Sequence, residues 1–257
     1  VSVAEELVED KQTIGGVNIT TVADMEPTLN ILVYGSPGVG KTVLAGSASV
    51  VDDMRPVLFV DVEGGTLSLR QLYPLVDVAR VQSWSDMVNI FDSLRKGEGG
   101  YNTVVLDSLT EIQKFSMNQI MSKLIKEDPD RDPDVPGMRE WGKNIEQIRR
   151  LVRSFRDLPM NVIFTALDAT DRDNRGRTIT RVNLAGKLSG EVPGFVDIVA
   201  YMYIKVRNDE LQRLLLTGAT DTVTAKDRSN RLPRVLEEPS METIYELISE
   251  QQQEGSE

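Results

Sequence analysis

Residues Gly35-Ser36-Pro37-Gly38-Val39-Gly40-Lys41-Thr42 follow the apolar run 31–34 and precede a stretch of small and aliphatic residues beginning at Val43. A G-x4-G-K-T spacing between a strand and a helix leaves few folds open to the chain. The glycines let successive backbone N–H groups turn inward around an anion, and the helix N-terminus adds partial positive charge. Lys41 can then reach the β- and γ-phosphates, and Thr42 offers a hydroxyl to Mg²⁺. The segment 35–43 is therefore expected to bind a nucleotide, with ATP and Mg²⁺ as the ligands.

Around this loop, short apolar runs alternate with amphipathic stretches, the rhythm of a largely parallel sheet covered by helices. Strands are predicted at 31–34, 57–61, 78–81, 103–107, 162–166 and 196–204, and helices near 41–53, 84–96, 108–126 and 139–157. Residues 127–137 hold three prolines among five acidic residues and read as a loop. After about 170 the pattern becomes β-rich, with alternation at 178–184, 211–216 and 222–225, before a last helix opened by Pro239-Ser240. The expected fold class is α/β: a mostly parallel central sheet flanked by helices, with a β-rich C-terminal part.

Composition narrows the chemistry. The 257 residues include no cysteine and no histidine. Disulfides, Cys/His zinc sites, thiol nucleophiles and imidazole bases are excluded, so a metal must sit on oxygen ligands. The formal net charge of −11 argues at first against a nucleic-acid partner. That charge is concentrated at the ends: residues 1–30 net −5 and residues 237–257 net −7, leaving 31–236 at +1. Three units are expected: an acidic N-terminal segment at 1–30, a core at 31–236, and an acidic C-terminal helix and tail at 237–257. No window reads as a membrane span or secretory signal, so no membrane partner and a cytoplasmic location are expected.

Two further acids suit nucleotide chemistry. Val104-Val105-Leu106-Asp107 is an apolar strand ending in a carboxylate, which with Thr42 could hold the magnesium. For the base that positions the attacking water, Glu63 and Glu111 compete. In open α/β sheets the ligand lies outside the carboxyl ends of the strands. Glu63 closes its strand and points there, whereas Glu111 lies one turn into a helix and is expected to face solvent. Glu63 is favoured, with Lys41 as the second catalytic group.

Together, GSPGVGKT at 35–42, DVEGG at 61–65, VVLDS at 104–108 and AKDRSNRLP at 225–233 resemble the RecA/RadA superfamily of P-loop ATPases. The likeness is to the small single-domain annealing and recombination proteins of bacteriophages, and it covers roughly 31–235. It implies a RecA-like core and a catalytic glutamate at Glu63. It also implies a γ-phosphate sensor at the end of the strand near 165, where Thr165 and Asp168 are available. Lys226 and Arg228 match the basic pair such subunits insert into a neighbour's ATP site. Two DNA-facing loops map by order onto 127–139 and 168–195. The first is acidic up to Met138-Arg139. The second carries Arg172, Arg175, Arg177, Arg181 and Lys187, as suits contacts to phosphates. By composition alone this stretch is equally a solvated charged hairpin.

The resemblance implies a Mg²⁺-dependent ATPase, stimulated by DNA. It would bind single-stranded DNA, form a homo-oligomeric ring or filament, and promote annealing or strand exchange, with a single-strand-binding protein as a further partner. A helicase- or packaging-type motor, and a nucleotide-gated scaffold with little hydrolysis, are the alternatives.

Overall fold

The computed structural model describes residues 13–21 and 28–249. A short ribbon, β1 (Thr13–Ile14) with β2 (Val17–Asn18), precedes the main sheet. The strands β3 (Asn30–Tyr34), β4 (Val57–Asp61), β5 (Asp77–Arg80), β6 (Thr103–Asp107) and β7 (Asn161–Ala166) are parallel. β8 (Asp168–Arg172) and β9 (Thr178–Val182) form a separate antiparallel hairpin. β10 (Ile198–Arg207) returns beside β3, and β11 (Glu210–Leu216), β12 (Lys226–Asp227) and β13 (Val235–Glu237) complete the antiparallel edge. The path across the main sheet is β13-β11-β10-β3-β7-β6-β4-β5, with β12 beside β10. One strand, β7, separates the strand leading into the phosphate loop from the strand ending in Asp107. This is an α/β P-loop NTPase core, with a mostly parallel central sheet flanked by helices.

Strands buried on both faces have to be apolar at consecutive positions, and alternate side chains feed two cores. Leu32, Tyr34, Val60, Leu106 and Phe164 enter the larger one. It is covered by α3 (Trp84–Arg95), α4 (Leu109–Glu127), α5 (Met138–Arg156) and α6 (Leu188–Phe195). Ile31, Val33, Phe59, Val105 and Ile163 enter the other, under α1 (Lys41–Gly46), α2 (Leu69–Leu72) and α7 (Met241–Ser249).

Three expected elements differ in the structure, and α6 forms in a stretch expected to be β-rich. The helix expected over 41–53 stops at Gly46 and continues as 3-10 turns at Ser47–Val50 and Asp52–Met54. The Ser47 hydroxyl donates to Leu44 O and that of Ser49 to Gly46 O, supplying local alternatives to helical pairing. The strand expected at 196–204 runs on to Arg207, where Asn208 (φ 53°) and Asp209 (φ 63°) turn it into β11. A two-residue turn with both φ positive matches the twist of a hairpin, and Asn and Asp tolerate that conformation best after glycine. Residues 222–225 form only an isolated bridge, Val223 to Thr180, instead of a strand.

α4 and α5 are locked by a buried polar network. Gln113 Nε2 donates to Asn144 Oδ1 (2.9 Å), Asn144 Nδ2 donates to Gln113 O and Ser116 Oγ (both 2.9 Å), and Ser116 Oγ donates to Gln147. Gln113 Oε1 also accepts from Ala185 N, and the Thr110 hydroxyl bridges Leu167 N and Asn183 O. Both ends of the β8–β9 hairpin are thereby tied to α4. Asn144→Ala strips partners from groups that stay buried, which costs about 1–3 kcal/mol. It should lower the urea midpoint with little change in slope.

Candidate active site

The phosphate loop is built by close approach. Tyr34 ends β3 and Gly35 follows under β10, where an added Cβ would lie 2.2 Å from Met202 O. Gly38 and Gly40 carry positive φ, turning the backbone into the cradle that opens α1 at Lys41. Lys41 is buried, and its ammonium donates to Gly35 O (2.8 Å) and Ser36 O (2.9 Å). Burial holds the Lys41 ammonium below the usual lysine range, while Asp107, Glu63 and Asp168 pull it the other way.

The carboxyl ends of β4 and β6 lie side by side, with Asp61 paired to Asp107 in register. Asp61 accepts from Gly64 N (2.7 Å), Gly65 N (3.3 Å) and the Thr66 hydroxyl (3.1 Å), shaping the turn that carries Glu63. Glu63 accepts a short hydrogen bond from the Ser108 hydroxyl. Asp107 is 2% exposed and receives hydroxyl protons from Thr42 (2.9 Å) and Thr165. Burial raises its carboxyl above the usual carboxylate range, those two bonds oppose the shift, and Glu63 and Asp61 add to it. A hydroxyl and a carboxylate on adjoining elements are hard oxygen donors, and they fit a Mg²⁺ that takes its other ligands from phosphate and water.

These groups line an open pocket of about 900 Å³ that runs from Pro37, Gly38 and Thr42 past Glu63 and Asp107 to Met202, Arg213 and Pro239. Thr165 is fully buried behind Asp107, and Asp168 accepts from the Ser36 hydroxyl (3.0 Å) and from Tyr201 OH (3.3 Å). Glu111, expected to face solvent, lines the pocket while pairing with Lys114 at 2.6 Å.

A family model described as an AAA domain matches residues 28–229. The chain belongs to the AAA domain family. It is a P-loop ATPase of that family. No curated protein matches it at a significant level. Among solved structures it is similar to a KaiC-like protein from Pyrococcus horikoshii OT3. The identity is 16% and the TM-score 0.43, over 73% of this chain and 77% of that one. It is also similar to the flagellar accessory protein FlaH from Methanocaldococcus jannaschii. There the identity is 10% and the TM-score 0.43, over 82% and 90% of the two chains. No helix among the described residues is long and apolar enough to cross a membrane.

In this AAA-family chain, Lys226 and Arg228 are engaged within the chain itself. Lys226 Nζ donates to Pro193 O (2.7 Å) and Val196 O (2.5 Å), and Arg228 binds Asp197 and Gly194 O (both 3.0 Å). Both therefore cap the C-terminal carbonyls of α6, where cations are favoured. Arg172, Arg175, Arg177 and Arg181 lie on the β8–β9 hairpin, turned by Asp173, whose Oδ1 accepts from Arg175 N and Arg177 N, whereas Lys187 lies apart, directly before α6. Arg177 pairs with Asp173 and Asp221. Arg172, Arg175, Arg181 and Lys187 make no ion pair among the described residues.

Sequence reasoning missed Met202, Arg213, Glu238 and Pro239. Met202 and Arg213 reach the pocket through the β10–β11 hairpin, whose one local signal is Asn208-Asp209, and Glu238 and Pro239 reach it from the end of β13. Gly35→Ala should force β10 away from the loop, costing about 1–3 kcal/mol by overpacking. The expected outcome is a lower melting midpoint together with weaker nucleotide binding, measured by calorimetry.

Proposed function

We propose that the chain is an ATP-dependent single-stranded-DNA-binding protein that assembles through its ATP sites and promotes annealing or strand exchange. The supporting observation is the β8–β9 hairpin. It leaves the end of β7 beside the phosphate loop, joined to it by the bond from Ser36 to Asp168, and presents Arg172 and Arg175 in the open. Cations displayed this way neutralise phosphates without reading sequence.

In this reading the backbone of 35–43 cradles the phosphates, and Lys41 leaves Gly35 O and Ser36 O for phosphate oxygens. Thr42 and Asp107 would hold Mg²⁺, which when bound spreads the charge of the phosphate chain. Glu63, steadied by Ser108, orients a water toward the γ-phosphorus. The water oxygen forms the new P–O bond, the bond to the ADP oxygen breaks, and Glu63 takes the proton. Thr165 senses the γ-phosphate only through Asp107, whereas Asp168 meets the loop directly. In the assembly, Arg228, the more exposed of the basic pair, would exchange Asp197 for a neighbour's nucleotide.

Two experiments test this. Glu63→Gln should keep ATP affinity and lower turnover about a hundredfold or more. Normal turnover would remove Glu63 from this role. Single-stranded DNA should stimulate hydrolysis, with the effect fading as salt rises. Replacing Arg172 and Arg175 by Ala should flatten the salt dependence of binding by about 0.7 log units per lost phosphate contact. Strand displacement without single-strand stimulation would select a motor instead.

A further inference from the structure

The pocket holds a second cation besides Lys41. Arg213 lies in β11 and lines the pocket near the phosphate loop. A Cβ built on Gly40 would meet its Nε at 3.2 Å and its Cδ at 3.4 Å, with Met202 Cε at 3.1 Å. The guanidinium stem therefore lies against the residue that immediately precedes Lys41.

We infer that Arg213 is a nucleotide-binding residue acting in cis, its guanidinium taking a phosphate oxygen of the nucleotide held in the same chain's loop. The inference rests on the phosphate-loop reading of 35–43 and adds a residue to it.

Three observations carry it. First, the charge is unspent. Arg149, Arg177 and Arg228 are ion-paired, whereas Arg213 is exposed and makes no ion pair among the described residues. Second, its backbone is fixed on both sides. Arg213 N donates to Glu238 Oε1 (2.8 Å) and Glu238 N donates to Arg213 O (2.9 Å). The nearby acid is thus turned to the Arg213 amide and leaves the guanidinium unneutralised. Glu238 adopts φ 43° to do this, and with Pro239 it forms part of the pocket wall. Third, the cations expected to act from a neighbour, Lys226 and Arg228, are committed to α6 carbonyls and Asp197 in their own subunit. Arg213 needs no such release. A planar guanidinium at the mouth of an anion cradle is suited to phosphate oxygens, which it can take through two parallel N–H groups.

The test uses the full chain, Mg²⁺ and a fluorescent ADP analogue, with affinity read by titration. Arg213→Ala should weaken binding about tenfold, the scale of one charge-assisted hydrogen bond. Arg213→Lys should recover part of the loss, and Lys41→Ala should abolish binding. Urea midpoints of the Arg213 variants should stay near the parent value; a Lys variant that folds normally keeps the comparison valid if Ala does not. Mixing Arg213→Ala with Lys41→Ala subunits separates cis from trans. In cis, no chain in the mixture has both groups, and binding is no tighter than for Arg213→Ala alone. Recovery of parental affinity in the mixture would overturn the inference, because the cation would then come from a neighbour. Parental affinity in Arg213→Ala beside a dead Lys41→Ala would overturn it as well. Parental affinity in Lys41→Ala would refute the phosphate-loop reading itself, and the inference with it.

Discussion

One buried carboxylate organises the site. Asp107 sits at the carboxyl end of β6, almost without solvent, and holds its place by accepting hydroxyl protons from Thr42 on α1 and Thr165 on β7. A carboxylate stripped of water is costly unless hydrogen bonds or a cation compensate it, and two hydroxyls do so only in part, since burial still raises its proton affinity. The arrangement has an unfilled requirement for positive charge. Lys41, held at Gly35 O and Ser36 O, feels this carboxylate through space, and with Thr42 the site suits a divalent ion. Because Thr42 lies in α1 and Thr165 in β7, satisfying Asp107 also ties the start of α1 to the centre of the sheet.

Much of this was legible because its chemistry is local. The phosphate loop is eight consecutive residues whose geometry depends on glycines and a helix start, and Asp107 and Glu63 each close an apolar run that must end at the ligand edge. The less legible parts depend on distant packing. Arg213 reaches the pocket only because β10 continues to Arg207 and turns back through Asn208-Asp209. Lys226 and Arg228, which in sequence match a pair reaching into a neighbour's ATP site, find carbonyls to cap only once α6 has formed. The loss of helix after Gly46 turns on which carbonyls the Ser47 and Ser49 hydroxyls bond, a competition that periodicity does not encode.

The net charge takes on a different meaning in three dimensions. The acidic helix α7 is docked: Met241 and Ile244 are buried, Met241 N donates to Ser47 Oγ (2.8 Å), and Tyr245 OH reaches Asp53 (2.8 Å). It packs in the layer of α1, on the face of the sheet that receives Ile31 and Val33. The residues that root the basic hairpin, Val182 and Leu184, pack in the opposite layer. The root of the hairpin and α7 therefore pack against opposite faces of the sheet. An overall charge of −11 does not by itself set the field at the hairpin, because charges farther than roughly 10 Å are screened. The acidic residues beyond Ser249, and those of 1–12 and 22–27, lie outside the described residues.

Asp168 is the point at which the two halves of the proposed function meet. It is the first residue of β8, and its Oδ2 accepts from Ser36 in the phosphate loop and from Tyr201 on β10. It also acts electrostatically on Lys41. A phosphate placed among these groups takes Lys41 as its counter-ion and sets a negative charge facing the Asp168 carboxylate. The Ser36 hydroxyl then has a choice of acceptors. Whatever shift this causes is applied at the root of the hairpin, while Thr110 and Gln113 hold both of its ends to α4. α4 starts next to Ser108, the residue that holds Glu63, so one helix touches both the ends of the hairpin and the proposed base. Coupling between nucleotide state and DNA contact thus requires no large domain motion in the proposed scheme, only two arrangements of a few hydrogen bonds around Asp168.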